Sequence, residues 1–316
     1  MNRPSASPQV LVIGSLNMDL VVRVPRAPGA GETLAAHGFT TNPGGKGANQ
    51  AVACARLGAA VGMVGRVGGD AFGAALRGAL EADGIDVRHV ATAGEASGIA
   101  VVTVDDAGEN RIAIVAGANA RLGVADVEAI AADIAAAPLL LLQFEVPLAT
   151  VVRAAQIARA AGRRVVLNPA PARALPDALW PAVDLLVVNE TEAAMLAGAV
   201  VDGVAAARDA ALALRRRGPA RVVVTLGRDG AVVADAAGCR RFHALAVEAV
   251  DTTAAGDTFI GALCAGLADG MTLDAAIALG IRAAALCVTR PGAQASIPHR
   301  HELAAMPEVA APVPLA

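Results

Sequence analysis

Residues 184–192 read DLLVVNETE, an apolar run that ends abruptly in an asparagine and two acids. A strand buried on both faces reads as a continuous apolar run, whereas a strand with one wet face alternates. Four further segments share the pattern: QVLVIG (9–14), LLLLQF (139–144), RVVLN (164–168) and RVVVTLG (221–227). Between them lie alanine-rich stretches with helical spacing at 45–57, 69–83, 124–136, 147–161 and 204–217, several followed by a glycine suited to a helix C-cap. This alternation predicts an α/β fold, a doubly wound, mainly parallel sheet flanked by helices. Ligands of such sheets sit beyond the carboxyl ends of the strands.

Two segments depart from the pattern. Residues 20–41 are short extended pieces broken by Pro25, Pro28 and Gly31, and residues 98–116 read as a hairpin, GIAVVTV and RIAIVA joined by DDAGEN. Neither can complete the central sheet, so both are expected to form a small β flap, about 15–42 and 97–118, beside the site. With no linker and no internal repeat, 1–316 reads as one domain carrying that flap. The Pro- and Ala-rich tail after Met306 reads as loosely ordered.

Composition narrows the function classes. Of 316 residues 55% are hydrophobic but only 2% aromatic, with no tyrosine, so Ala, Val, Leu and Ile must fill the interior. The mean hydropathy of +0.54 looks membrane-like, yet no uncharged run approaches the roughly 18 residues of a spanning helix. The N-terminal apolar stretch from Val10 to Gly14 is too short for a secretory segment. Four scattered cysteines without a C-x-x-C read as buried thiols of a cytoplasmic protein, not as a disulfide or metal set. The five histidines show no metal-ligand spacing. A net charge of −3 argues against a nucleic-acid surface, and Arg215, Arg216 and Arg217 read as the solvated end of a helix. The expected partner is a small molecule, with neither nucleic acid nor membrane.

Polar residues follow almost every expected strand: Asn17 and Asp19 after the first, Glu145 after LLLLQF, Asn189 and Glu192 in NETE, and LGRDG after RVVVT. A wet strand end or a helix cap explains any one of them; with PAPA after RVVLN there are five in register, which point to a site, and paired Asn and Asp side chains suit a polyol. The chain carries 25 arginines and a single lysine, Lys46, inside TTNPGGKGANQAV (40–52). Codon drift would leave a stray lysine by chance; a compact ammonium between glycines that admit a close ligand is the functional alternative. The sharpest stretch is VDTTAAGDTFIGAL (250–263). There the N–H groups of Ala254, Ala255 and Gly256 open a helix and can form an anion hole. Asp257 beside that hole would repel a resting phosphate, so a general base for a hydroxyl attacking a phosphoryl group fits better than phosphate storage. The alternative is an N-cap. Lys46 is followed by glycine, so GGKG is not a Walker-type loop.

GSLNMD, PGGKGANQAVA, GENRIAIVAGANA, NPAPA, NETEA, VTLGRDGA, DTTAAGDTF and VTRPGAQASIP, in this order across about residues 9–300, resemble the ribokinase family of ATP-dependent sugar kinases. The resemblance is specific, because both family signatures, GGKGAN and D-T-x-x-A-G-D-x-F, are present. It implies transfer of the γ-phosphate of Mg·ATP to the 5-hydroxyl of D-ribose, the related acceptors deoxyribose, another sugar or a nucleoside remaining open. A sugar-binding regulator without catalysis is the reading from another class. By the same resemblance Asn17, Asp19, Gly44, Gly45, Lys46, Asn49 and Glu145 bind the sugar and Asp257 is the base, beside the hole at Ala254, Ala255 and Gly256. Asn189 and Glu192 organise Mg²⁺ and the phosphates, with Thr225, Gly227 and Gly230 on the nucleotide side. Asp251, Thr253, Cys287, Arg290, Gly292 and Ser296 hold an activating K⁺. Flaps of the family often pair between subunits, so a homodimer through the flap is expected. Many members have glycine at the position of Ala254; alanine is acceptable there unless the position needs positive φ.

Overall fold

The computed structural model describes residues 8–315; residues 1–7 and 316 of the expected single domain lie outside the described residues. From the N-terminus, β1 (Val10–Ile13) leads into β2 (Asn17–Arg23) and β3 (Gly38–Gly44), and the chain then enters α1 (Lys46–Arg56). β4 (Val61–Gly68), α2 (Ala71–Ala82) and β5 (Asp86–Ala93) follow, then β6 (Gly98–Val104) and β7 (Asn110–Val115). Next come α3 (Val124–Ala129), α4 (Ala131–Ala136), β8 (Leu139–Leu142), α5 (Leu148–Ala160) and β9 (Arg164–Leu167). β10 (Leu185–Asn189), α6 (Glu190–Ala197), α7 (Val204–Arg215), β11 (Arg221–Thr225), β12 (Ala231–Asp235) and β13 (Gly238–Phe242) lie beyond, before α8 (Ala255–Ala268), α9 (Leu273–Cys287) and β14 (Val313–Leu315).

Ten strands form one sheet, ordered β14-β13-β12-β11-β10-β9-β8-β1-β4-β5. Pairing is parallel from β5 to β11 and antiparallel from β11 to β14. The apolar runs explain the layers. Leu11, Ile13, Leu140 and Leu142 face one buried core, and Val10, Val12, Leu139 and Leu141 face another on the opposite side of the sheet. A strand covered on both faces needs apolar residues at every position, as these have. The chain leaves β1 toward β4 and β5 on one side and returns to β8 and its successors on the other. Strand order therefore reverses at β1, the switch point where the crevice of an open α/β sheet lies.

The expected flap is a separate four-stranded sheet ordered β3-β2-β6-β7. Asn17 pairs with Gly44 and Asp19 with Asn42, so the flap strands grow directly out of β1 and feed α1.

Several expectations need correction. β4 and β5 belong to the central sheet but were not legible, since VGMVGRVG is diluted by glycine and DVRHVATA by polar residues. The helix expected over 124–136 is broken at Ile130, whose φ of −111° and ψ of 21° leave helical space. The tail read as loose ends in β14, which pairs with β13 as an edge strand; Pro314 is tolerated there because an edge has no second neighbour to satisfy. Of the three consecutive arginines, Arg217 is more than solvated: its guanidinium stacks 3.9 Å from the Trp180 ring centroid. The four cysteines are free, with Cys54, Cys264 and Cys287 buried. Among the described residues no helix is long and apolar enough to cross a membrane.

Candidate active site

The glycines of PGGKG are imposed by contact with the exit of β1. A Cβ on Gly45 would stand 2.7 Å from the Asn17 nitrogen, and one on Gly47 would stand 2.5 Å from the Ser15 nitrogen. A Cβ on Gly44 would collide with the Asp19 carboxylate. Gly45 also has φ +90°, a conformation open mainly to glycine. Together these residues press the N-terminus of α1 onto residues 14–17, where a set of carboxylates converges.

Glu145 Oε2 accepts from the Ser15 hydroxyl (2.6 Å), the Lys46 N–H (3.1 Å) and Asn17 Nδ2 (3.4 Å). Asn17 Oδ1 in turn accepts from Asn119 Nδ2 at 2.8 Å, and the Asn119 side chain also bridges both backbone groups of Leu16. Burial, then the nearby charges of Glu145 and Asp257, push the Asp19 carboxyl up to about 7, against the pull of Lys46. Lys46 shifts upward too, chiefly because Asp257 favours its charged form, with Glu145, Glu192 and Asp19 adding to this against the cost of burial. The one lysine thus sits within the field of four carboxylates and balances part of their charge.

Asp257 lies in the first turn of α8, where it is 9% exposed. It does not cap the helix. The cap position is Ala254, and the Asp257 carboxylate instead accepts from Asn49 Nδ2 at 3.1 Å and Gln50 Nε2 at 2.9 Å. Gly261 permits this approach: a Cβ there would meet Ala53 and stand 2.7 Å from the Gln50 carbonyl oxygen, so α8 crosses α1 in backbone contact. Ala254 has φ +60° and is the one non-glycine residue in left-handed space among the described residues. The position therefore does need positive φ, and alanine occupies it under strain of about 1–2 kcal/mol. The expected anion hole is narrower than three donors, because the Ala255 N–H is already directed at the Thr252 carbonyl (3.2 Å).

On the far side of Asp257, Asn189 and Glu192 form a capping box at the start of α6. Glu192 N–H donates to Asn189 Oδ1 (2.8 Å), while Asn189 N–H and Nδ2 donate back to Glu192 at 3.0 and 3.1 Å. Burial shifts the Glu192 carboxyl upward against these bonds. Thr225 Oγ1 donates to the Val188 carbonyl (3.4 Å), and Gly227 and Gly230, at φ +51° and +94°, shape the turn that follows.

The six residues expected to hold a cation are brought together across two segments. Asp251 accepts from the N–H groups of Thr253 (2.8 Å) and Gly292 (2.9 Å), which outweigh burial and hold its carboxyl below the usual range. Cys287 Sγ lies 3.1 Å from Ser296 Oγ and 3.8 Å from the Thr253 carbonyl, and its own carbonyl accepts from the Arg290 N–H (3.1 Å). Sequence reasoning passed over Ser15, Gln50, Asn119, Gln143 and Asn168. Of these, Ser15, Gln50, Asn119 and Asn168 stand inside motifs already singled out, so burial of a polar residue beside a glycine-rich loop or strand end was the available signal.

A buried carboxylate in the first turn of α8, a glycine-built approach of α1 to the exit of β1 and a capped polar pair at the start of α6 are thus joined at one end of the sheet. Residues 7–300 match the pfkB family of carbohydrate kinases, and the chain belongs to that family. Ribokinase from Haemophilus influenzae is 43% identical over 292 residues, spanning 92% of this chain and 95% of that protein. Deoxyribokinase from Salmonella typhi is 38% identical over 291 residues, spanning 92% and 95%. The structure of Arabidopsis thaliana ribokinase complexed with ribose and ATP superposes with a TM-score of 0.89 at 32% identity, covering 95% of this chain and 98% of that one.

Proposed function

We propose that the protein is a ribokinase, phosphorylating D-ribose at the 5-hydroxyl with ATP to give ribose 5-phosphate and ADP. The observation that carries this reading is the Asp257 carboxylate, buried and oriented by two amide donors beside the open turn of α8. Asn17, Asp19, Gly44, Gly45, Asn49 and Glu145 line the sugar side, and Lys46 offsets their charge. In the reaction the acceptor O–H gives its proton to Asp257 as its oxygen attacks the γ-phosphorus; the bond from that phosphorus to the bridging oxygen breaks and ADP leaves with the electron pair. The free N–H groups of Ala254 and Gly256 face the charge on the transferring oxygens, with the α8 N-terminus behind them. The flap keeps water, the competing nucleophile, from the γ-phosphate.

Mg²⁺ carried by the nucleotide supplies neutralisation of phosphate charge. Asn189 and Glu192 are committed to their capping box, which suits holding the hydrated ion, and Mg²⁺ keeps its waters readily. The cluster at 251–253 and 287–296 contains one carboxylate, Asp251, among carbonyls, the Ser296 hydroxyl and the Cys287 thiol, a donor set that fits K⁺ better than a divalent ion. Thr225, Gly227 and Gly230 lie on the nucleotide side. Two copies would pair through the flap, where Phe39, Val101, Ile112, Ile114 and Val115 are exposed apolar side chains. The free thiols suit a reducing cytoplasm, a placement that cell fractionation checks.

The test is kcat/KM for D-ribose, 2-deoxyribose, fructose and adenosine in a coupled ADP-release assay, with K⁺ or Li⁺ present. D-ribose should lead, and K⁺ should raise the rate far more than Li⁺. A lead by deoxyribose would move the specificity to that acceptor. Ribose binding without turnover would leave a non-catalytic binder, and indifference to the cation would overturn the K⁺ assignment.

A further inference from the structure

Gln50 is fully buried and the sequence reading gives it no role, yet it stands between the two halves of the site. Its Nε2 donates to Asp257 Oδ1 (2.9 Å) and to Asn168 Oδ1 (3.2 Å), and its Oε1 accepts from Gln143 Nε2 (2.6 Å). Asn168 Nδ2 in turn donates to the Val187 carbonyl (3.1 Å) and to Glu192 Oε2 (3.3 Å). The direction of this relay is not arbitrary. A backbone carbonyl can only accept, so Val187 forces the Asn168 amide nitrogen toward β10 and the Asn168 oxygen toward Gln50. Gln50 must then present its nitrogen to both Asn168 and Asp257; turned over, it would set one oxygen against two others. The backbone of β10 thus dictates, through two amides, that Asp257 Oδ1 meets a donor.

We propose that Gln50 is a positioning residue for phosphoryl transfer: it fixes the Asp257 carboxylate as an acceptor in one orientation and, through Asn168, ties it to Glu192 on the nucleotide side. This rests on the reading of Asp257 as the base. The consequence follows from geometry. With Oδ1 held by Gln50 and Oδ2 by Asn49, the carboxylate cannot rotate, and its remaining lone pairs keep one direction toward an incoming hydroxyl. Gln143 completes the support. A Cβ on Gly14 would collide with the Gln143 amide oxygen, so the glycine that follows β1 is what admits it.

The experiment compares Gln50→Met, Asp257→Asn and the double variant, measuring kcat, the sugar KM and nucleotide affinity by calorimetry in the same samples. Gln50→Met keeps the volume and loses the donor. It should lower kcat by about 100-fold, the scale of a misplaced reacting group, while the sugar KM changes by less than about three-fold. In the Asp257→Asn background the same substitution should cost less than about three-fold in residual kcat, because its target is gone. If Gln50→Met does not fold, Gln50→Leu, which also removes the donor without adding a charge, takes its place with the same expected losses. A kcat within two-fold of the parent, or an equal loss in both backgrounds, overturns the positioning role. Near-normal turnover by Asp257→Asn instead removes the base itself, and this role for Gln50 with it.

Discussion

At the scale of single residues, the site is held together by groups that are uncomfortable in the free protein. Folding raises Asp19 from its ordinary 3.8 to about 7. Between those values the folded chain binds more protons than the unfolded one, so stability falls as pH rises and the full cost applies above about 7. Asp19→Asn should therefore raise the Tm at pH 8 by an amount on the order of 5 °C, less at pH 5, while weakening sugar binding. An equal gain at both pH values in calorimetric scans would contradict the assignment. Ala254 carries a second strain, its φ of +60°. Ala254→Gly should raise the Tm by about 2 °C, since glycine adopts that conformation without the Cβ clash; a lower Tm would show that the turn gains nothing from glycine. The sequence singled out Asp257, Lys46 and the glycines as candidates but could not say that residue 254 is left-handed, because φ at a turn depends on how α8 enters from residues 251–253. Gln50 was hidden for a related reason. A glutamine reads as surface until α1 is seen buried between the sheet and α8.

At the scale of elements, the strands covered on both faces were legible as apolar runs, and the flap as the segments that could not join them. What escaped was everything whose pattern is set by neighbours. β4 survives its glycines because residues around it fill the space, Gly65 lying against Leu16, and the β12 to β14 edge is antiparallel because the chain returns by tight turns. The flap itself makes a prediction. β7 is exposed along its whole length, with Ile112 at 57% and Ile114 at 49%, an apolar edge that a monomer would leave open to aggregation. Sedimentation of the wild type should give a dimer and of Ile112→Glu a monomer with a raised sugar KM. A monomeric wild type would refute pairing through the flap.

For the whole molecule, the doubly wound sheet explains why residues far apart in sequence meet. The switch at β1 opens the crevice, and β1, β8, β9, β10 and β11 each deliver a polar group from the carboxyl end. α8 then crosses α1 to set Asp257 against Asn49 and Gln50, which link it through Asn168 to Glu192. The chain order of these groups was readable as motifs; their convergence was a property of the topology, which the alternation of strands and helices implied only in outline. The proposed chemistry depends first on Asp257. The most direct measurement is kcat for D-ribose with Asp257→Asn, alongside the sugar affinity by calorimetry. A fall of about 1,000-fold or more with ribose affinity within about five-fold of the parent is the expected result, as for loss of a general base in a positioned site. Turnover within ten-fold of the parent would contradict the central claim.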